Sequence, residues 1–429
     1  MNRRIRRPAR PRIRSRVAVV LAGVALLSWA GPGASAFWTA TSSGGSALTG
    51  ADAVAAGTTP SVTVSGGNVT LAWKASATLA GRAVSGYTVA RYGSLSGGTR
   101  IDAGGTCAGT VSAGLGCTEQ GVPTGTWYYT VTPVLGQWQG AESGRSVAAA
   151  VDTTPPAAPT VAAPHYVNSG NVAAVPVSGT TEPGATIALS VSDAGAAHTV
   201  TATVTANSSG VWNAAVNLTS LAEGTVTYSA VATDTAGNQG NPAAPGTAAS
   251  FKDVALPRVT AVVLADANIT GKNGSTKGKV DPGDNVTIQF SEPLDASTIC
   301  SSWASTAAGT LNGENQVTVT ISAANVLTVD VASTACPTFR LGTVALNGAY
   351  YGSGALTYKG AGQSASTLSW NPSGPAPTLT ITLGALASGS PATASTTAAA
   401  SSYTPADGMN DRAGNALAAT AVAGSMTRF

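Results

Sequence analysis

The sequence predicts an all-β protein of three tandem β-sandwiches behind a cleaved signal peptide. Three observations carry this. Apolar residues alternate with polar ones at a period of two in segment after segment, and no window sustains the 3.6-residue period of a helix. The chain holds 51 Gly and 23 Pro, with abundant Thr, Ser, Ala and Val, which suits many short strands joined by turns. A loop phrase also recurs. Tyr228-Ser-Ala-Val-Ala-Thr-Asp-Thr-Ala-Gly-Asn238 reads as a strand running into an Asp–Gly–Asn loop, echoed at Asp411-Arg-Ala-Gly-Asn415. Upstream of each lies an acidic residue, a Pro-Gly turn and an alternating strand, Glu182-Pro-Gly-Ala-Thr-Ile and Asp281-Pro-Gly-Asp-Asn-Val.

Residues 1–36 read as a secretory leader. Met1 to Arg16 holds eight Arg and no acid, Val17 to Ala30 is apolar, Gly31-Pro-Gly33 breaks any helix, and Ala34-Ser-Ala36 offers small residues for cleavage. The apolar run is shorter than the ~20 residues of a spanning helix, so we expect cleavage between Ala36 and Phe37 and no transmembrane segment afterwards. Arg3-Arg4 and Arg6-Arg7 give only a weak twin-arginine signal, because Pro8 and further arginines separate them from the apolar run. The formal charge of +3 rests on 22 basic and 19 acidic residues. Without the eight leader arginines it becomes −5, which leaves no basic footprint for nucleic acid. Four cysteines suit an oxidising exterior, and proximity favours the pairs Cys107–Cys117 and Cys300–Cys336. In the chain-entropy account these contribute roughly 2.8 and 3.8 kcal/mol. No C-x-x-C occurs and only His165 and His198 are present, which argues against zinc.

Residues 37–59 form a flexible, Gly/Ser/Thr/Ala-rich lead-in, and Ala36-Phe-Trp-Thr39 resembles the signal regions of some exported fibre-forming surface proteins. Residues 60–152 form the first sandwich. Val69, Leu71 and Trp73 alternate, Gly86–Tyr92 is a second strand, and Gly125–Val134 is a late aromatic strand in which Trp127, Tyr129 and Val131 share a face. The order Leu-x-Trp, Gly-Tyr-x-Val-x-Arg, Pro-x-Gly-Thr-x-Tyr resembles a fibronectin type III domain. The resemblance implies seven strands, Trp73 in the core, and Tyr128 or Tyr129 as a tyrosine corner bonding to backbone. The Cys107–Cys117 pair departs from it. Asp152-Thr-Thr-Pro-Pro-Ala-Ala-Pro159 reads as a stiff spacer.

Residues 158–254 form the second sandwich. Its strands carry Ile187/Leu189/Val191, Val200/Ala202/Val204, Trp212/Ala214/Val216/Leu218 and Val226/Tyr228/Ala230/Ala232. The phrases Thr-Thr-Glu-Pro-Gly-Ala-Thr-Ile, Gly-Val-Trp and Tyr-x-Ala-x-Ala-x-Asp-x-Ala-Gly-Asn resemble the Ig-like domains of bacterial surface proteins and adhesins. Residues 255–429 form an enlarged third unit with strands at Val286/Ile288/Phe290, Val317/Val319/Ile321, Leu327/Val329/Val331, Leu379/Ile381/Leu383 and 421–429. Asp-Pro-Gly-Asp-x-Val-x-Ile-x-Phe-Ser-Glu-Pro-Leu-Asp resembles the Ig-like domains of bacterial S-layer and cell-surface proteins. The stretch from the Pro-Gly turn to the Asp–Gly–Asn loop is 52 residues in the second sandwich and 130 in the third. The surplus reads as an insertion carrying the second cysteine pair, and Ala385 to Ser402 reads as a mobile loop.

No catalytic machine is legible. Two histidines leave little for a Ser-His-Asp or Cys-His site, no G-x-S-x-G, Walker or dinucleotide phrase occurs, and the glycines sit in turns. A glycosidase would need converging carboxylates; Glu182, Asp281, Asp284, Glu292 and Asp295 mostly neighbour Pro or Pro-Gly, where turn chemistry accounts for them. Asp234, Asn238 and Glu182 could offer oxygens to calcium, but an Asx-type loop with Gly237 at positive φ fits their spacing better. The resemblances imply a non-catalytic, exported structural or adhesive protein of the bacterial surface or matrix. A glycan-binding module is the alternative and an enzyme accessory protein a third. No cofactor is expected, and cell-wall glycan or another surface protein is the expected partner. Recognition is expected in the third unit, where Trp303, Tyr350, Tyr351 and Trp370 lie outside the clearest strands as ligand contacts.

Overall fold

The computed structural model describes residues 36–38, 51–267, 277–394 and 396–429. The leader read over residues 1–36 lies, apart from Ala36, outside the described residues, as do residues 39–50 of the lead-in. Among the described residues no helix is long and apolar enough to cross a membrane. The chain divides into two compact units. The first holds residues up to Ala157 with Gly184–Thr186 and Ala232–Ala243; the second holds Ala158–Pro183, Ile187–Val231 and Ala244–Phe429. Both are all-β.

In the first unit, strands Ser61–Ser65, Asn68–Ala72 and Gly116–Glu119 form one sheet. Strands Ile101–Asp102, Gly86–Tyr92, Gly125–Leu135 and Ala149–Val151 form the other, with Trp138–Gln139 folding back on Gly125–Leu135. Three strands against four is the sandwich that the fibronectin-like order implied, plus one short hairpin arm. The alternation explains it: Val69, Leu71, Tyr87, Val89, Tyr129 and Val131 turn inward, and Trp73 meets Tyr87 edge-on at 5.4 Å. Cys107 and Cys117 are bonded to each other. For Tyr129 the expected tyrosine corner is corrected. The Tyr129 hydroxyl donates to the Glu119 carboxylate at 2.8 Å rather than to backbone, because Glu119 is buried beside it and paired with Arg91. The hydroxyl that meets backbone is that of Tyr87, which accepts from Ser76 N–H at 2.7 Å.

The first Asp–Gly–Asn loop closes on itself within this unit. Asp234 Oδ1 accepts from Asn238 N–H at 2.8 Å and Oδ2 from the Asn238 amide at 2.7 Å, while Gly237 takes φ 91°. The same amide nitrogen also donates to the Asp152 carbonyl at 3.0 Å. Desolvation works against the Asp234 carboxylate, but the bonds from Asn238 together with those from the Ala236 and Gly237 backbone outweigh it and hold its pKa below the usual range.

The second unit holds two separate cores. One lies between the sheet of Tyr166–Val167, Gly246–Lys252, Gly224–Thr233, Thr186–Ser192 and Thr199–Thr205, and the pair Val175–Thr180 with Val211–Val216. Ile187, Leu189, Trp212, Val226 and Tyr228 are buried in it. The other lies between a five-stranded sheet, Val259–Ala265, Asn285–Phe290, Thr378–Thr382, Thr367–Asn371 and Gly309–Leu311, and a seven-stranded one. The second sheet runs Ala385–Pro391, Tyr351–Lys359, Val317–Ile321, Val326–Val331, Gly342–Ala345, Ala399–Pro405 and Val422–Thr427. Cys300 and Cys336 are bonded beneath it. Two expectations are corrected here. The surplus residues are not an insertion hung on a small sandwich; they supply strands to both sheets. Nor is 385–402 a loop. Ala385–Pro391 pairs with Tyr351–Lys359 through several register shifts, and Ala399–Pro405 pairs with Gly342–Ala345. Ser, Thr and Ala suit an exposed edge strand as well as a loop, so composition alone could not separate the two.

Candidate functional site

The second Asp–Gly–Asn loop repeats the first bond for bond, inside the second unit. Asp411 Oδ1 accepts from Asn415 N–H and Oδ2 from the Asn415 amide, both at 2.8 Å, with Gly414 at φ 91°. A side chain at φ near +90° would be strained, so the turn requires glycine. The Asn415 amide also donates to the Asp253 carbonyl at 2.8 Å, as Asn238 does to Asp152. Here the grip is wider. Asn415 Oδ1 accepts from Ser169 N–H at 2.8 Å, and the Asn168 amide donates to the Ala413 carbonyl at 2.7 Å. Asn415 is 1 % exposed and Asp411 3 %, so every polar atom of this clamp must find its partner in the protein.

The clamp brings Asp253, at the end of strand Gly246–Lys252, beside Asp411. Glu292, on the turn after strand Asn285–Phe290, completes a set of three carboxylates whose oxygens lie within 4.8 Å of one another. They line a cleft of about 420 Å³ with Pro293, Arg412, Ala413 and an aromatic wall of His165, Tyr166 and Phe251. The wall has a simple origin. Tyr166–Val167 pairs in parallel with Phe251–Lys252, which places Tyr166 opposite Phe251 on one face and sends Val167 and Lys252 to the other. Val167 and Lys252 are buried, and the Lys252 ammonium donates to the Leu221 carbonyl. Phe251 stays 47 % exposed, edge-on to Tyr166 at 6.4 Å, with His165 edge-on to Tyr166 at 4.5 Å.

Burial and like charges raise two of these acids, Glu292 and Asp253. Desolvation, then Asp253 and Asp411, push Glu292 up to about 7, against the pull of Arg258. Desolvation, then Asp411, raise Asp253. Among the described residues this is the one carboxylate group that could be weighed as a metal site. The fit is poor. Calcium takes six to eight oxygens, and both oxygens of Asp411 already accept from Asn415.

The aromatic residues expected as ligand contacts lie elsewhere. Tyr350 and Trp370 are 1 % exposed and Trp303 9 %, all three in the third core. Trp370 meets Phe290 edge-on, Tyr350 meets Phe429, and a Cβ at Gly309 would strike the Trp303 ring at 2.3 Å. Tyr351 is half-buried against the same core. We correct the expectation for the three buried rings: an enlarged sandwich needs large side chains to fill it, and they have no face left to offer. The other acids sit in turns. Asp295 caps the short helix Ala296–Ile299 through Ser297 N–H. Asp284 is buried and accepts from Ala267 and Asp281 N–H, and desolvation raises it to about 6. Sequence reasoning missed Phe251, Tyr166 and His165.

Two expected outcomes follow. For a carboxylate raised in the folded state, the cost is absent below the unfolded pKa and grows as pH rises to the folded one. Glu292→Gln should therefore match the parent near pH 4 and exceed it near pH 8 by about 1 kcal/mol, after discounting for partial exposure. Thermal melts across pH check this, and a larger gain at low pH would contradict it. Asn415→Ala strands Ser169 N–H and the Asp411 carboxylate, and should cost about 2–4 kcal/mol and speed proteolysis within residues 253–258. Urea denaturation with timed cleavage measures both, and unchanged cleavage would refute the clamp.

No family model matches the chain, and no curated protein matches it. Among solved structures, the tetra-tandem repeat in the extending region of a large adhesion protein is 15% identical over 88% of this chain and 89% of that one, with a TM-score of 0.25. The FN1–FN3 domains of chicken CNTN1 are 11% identical over 79% and 98%, with a TM-score of 0.23. At these values the fold assignment rests on the sheets and cores described above.

Proposed function

We propose that the chain is an exported, non-catalytic structural or adhesive protein of the bacterial cell surface or extracellular matrix, with sandwiches at 60–152, 158–254 and 255–429. The observation that carries the reading is the repeated clamp. Twice, a buried or half-buried Asp–Asn pair spends its hydrogen bonds on the residue after a sandwich's last strand, Asp152 or Asp253, where a catalytic protein would aim such groups at a substrate. Two disulfides fit an oxidising compartment.

A second reading has its own support. An aromatic wall facing carboxylates in a concave site is what a carbohydrate contact requires, so the chain could serve as a glycan-binding module through this cleft. One experiment addresses both. The full chain is expressed in a bacterial host, fractionated, and tested for binding to whole cells and cell-wall glycan. We expect released or surface-bound protein starting at Phe37, and binding weakened by Phe251→Ser. Retention in the cytoplasm with Met1 intact would overturn export. Binding indifferent to Phe251→Ser would remove the glycan reading and leave the structural one.

A further inference from the structure

We propose that the cleft receives an amino sugar bearing a free ammonium group, its C–H face against Phe251 and Tyr166 and its ammonium among Asp253, Glu292 and Asp411. The inference deepens the glycan reading and rests on it. Its starting point is the cavity. At about 420 Å³ it falls in the range of roughly 300–1,000 Å³ usual for small-molecule sites, and it is far larger than a metal ion needs. One wall is aromatic and one floor is acidic, so the ligand must be apolar on one face and cationic at one edge.

The aromatic wall chooses a ring over a chain. Tyr166 and Phe251 stand side by side on paired strands with centroids 6.4 Å apart, and His165 extends the row. Their planes stand 78° and 82° apart, so the rings form a corner that takes one face and the rim of a sugar ring, where a lysine arm would leave most of it wet. Phe251 lines the cleft 47 % exposed, on a strand whose buried positions hold Gly246, Ser250 and Lys252.

The floor chooses the charge. Three carboxylates crowd within 4.8 Å, and among the described residues no donor meets the Glu292 carboxylate. Arg258 lies near enough to act on Glu292 but is exposed, and the Arg412 guanidinium donates to the Thr306 carbonyl at 3.3 Å. Neither neutralises the set, and Glu223 adds a further negative charge nearby. An ammonium finds acceptors in Asp253 and Glu292, sits against the charge of Asp411, and gains from the ring faces beside it. A divalent metal gains nothing from the wall. An N-acetylated sugar keeps the stacking but loses the charge.

The test uses the full chain, in buffer containing a chelator, titrated calorimetrically with short glucosamine oligomers, the same oligomers N-acetylated, and a lysine amide. We expect acetylation to weaken binding by about tenfold or more, the loss of a charge-assisted contact, with Glu292→Gln and Phe251→Ser each weakening it similarly. Both variants change exposed or half-buried side chains, and a melting curve confirms that each folds. Equal affinity for free and acetylated oligomers would overturn the amino-sugar assignment. If Phe251→Ser still abolished that binding, the cleft would stand as a glycan contact. Binding by neither oligomer would overturn both. Tighter binding of the lysine amide than of the glucosamine oligomers would also overturn the proposal, and would assign the cleft to protein amines.

Discussion

One side chain organises each Asp–Gly–Asn loop. A primary amide offers two donors and an acceptor on a short arm, and Asn238 and Asn415 use that arm to close their own loop and to hold an aspartate carbonyl at once. Gln would overreach and Asp would repel the carboxylate opposite. The glycine just before it, at φ 91° in both copies, turns the chain so that the asparagine N–H and side chain return to the same aspartate. The buried bonds of the second copy are costly to leave unmade, which makes the loop all-or-none rather than adjustable.

The cleft is a by-product of that geometry. Gripping the Asp253 carbonyl places its carboxylate beside Asp411, and the Glu292 turn lies against both. Three acids would not gather in water, and desolvation first, then the charges of Asp253 and Asp411, lift Glu292. The protein tolerates it because the clamp bonds, the parallel pairing of Tyr166 with Phe251 and the two cores hold the backbone regardless of the charges.

Much of the fold was legible because the period of two is a direct consequence of strand geometry, and the inward sets around Val69, Ile187 and Val286 turned out buried as read. The Asx-type closure at Asp234 was legible from residue chemistry alone. What escaped has physical causes. Trp303, Tyr350 and Trp370 looked available because they fell outside the alternation read from the sequence, yet Trp370 sits on the regular strand Thr367–Asn371, and only the third dimension supplies the partners of all three. Phe251 was hidden for the opposite reason. Its strand turns Ser250 and Lys252 inward and the phenylalanine outward, so the usual apolar-in rule reads it backwards. The lysine can point inward because the Leu221 carbonyl receives its ammonium, a contact between distant segments that no local pattern reveals.

The account depends most on the second clamp being closed in solution, and amide hydrogen exchange measures that directly. Ser169 and Asn415 donate their backbone N–H groups to side-chain acceptors in the clamp rather than to a sheet ladder. If the clamp holds, both amides should exchange as slowly as those of the core strand Asn285–Phe290. Exchange of both at the rate of exposed loop amides would show that the clamp opens freely, and would contradict the claim that it holds Asp253 in place.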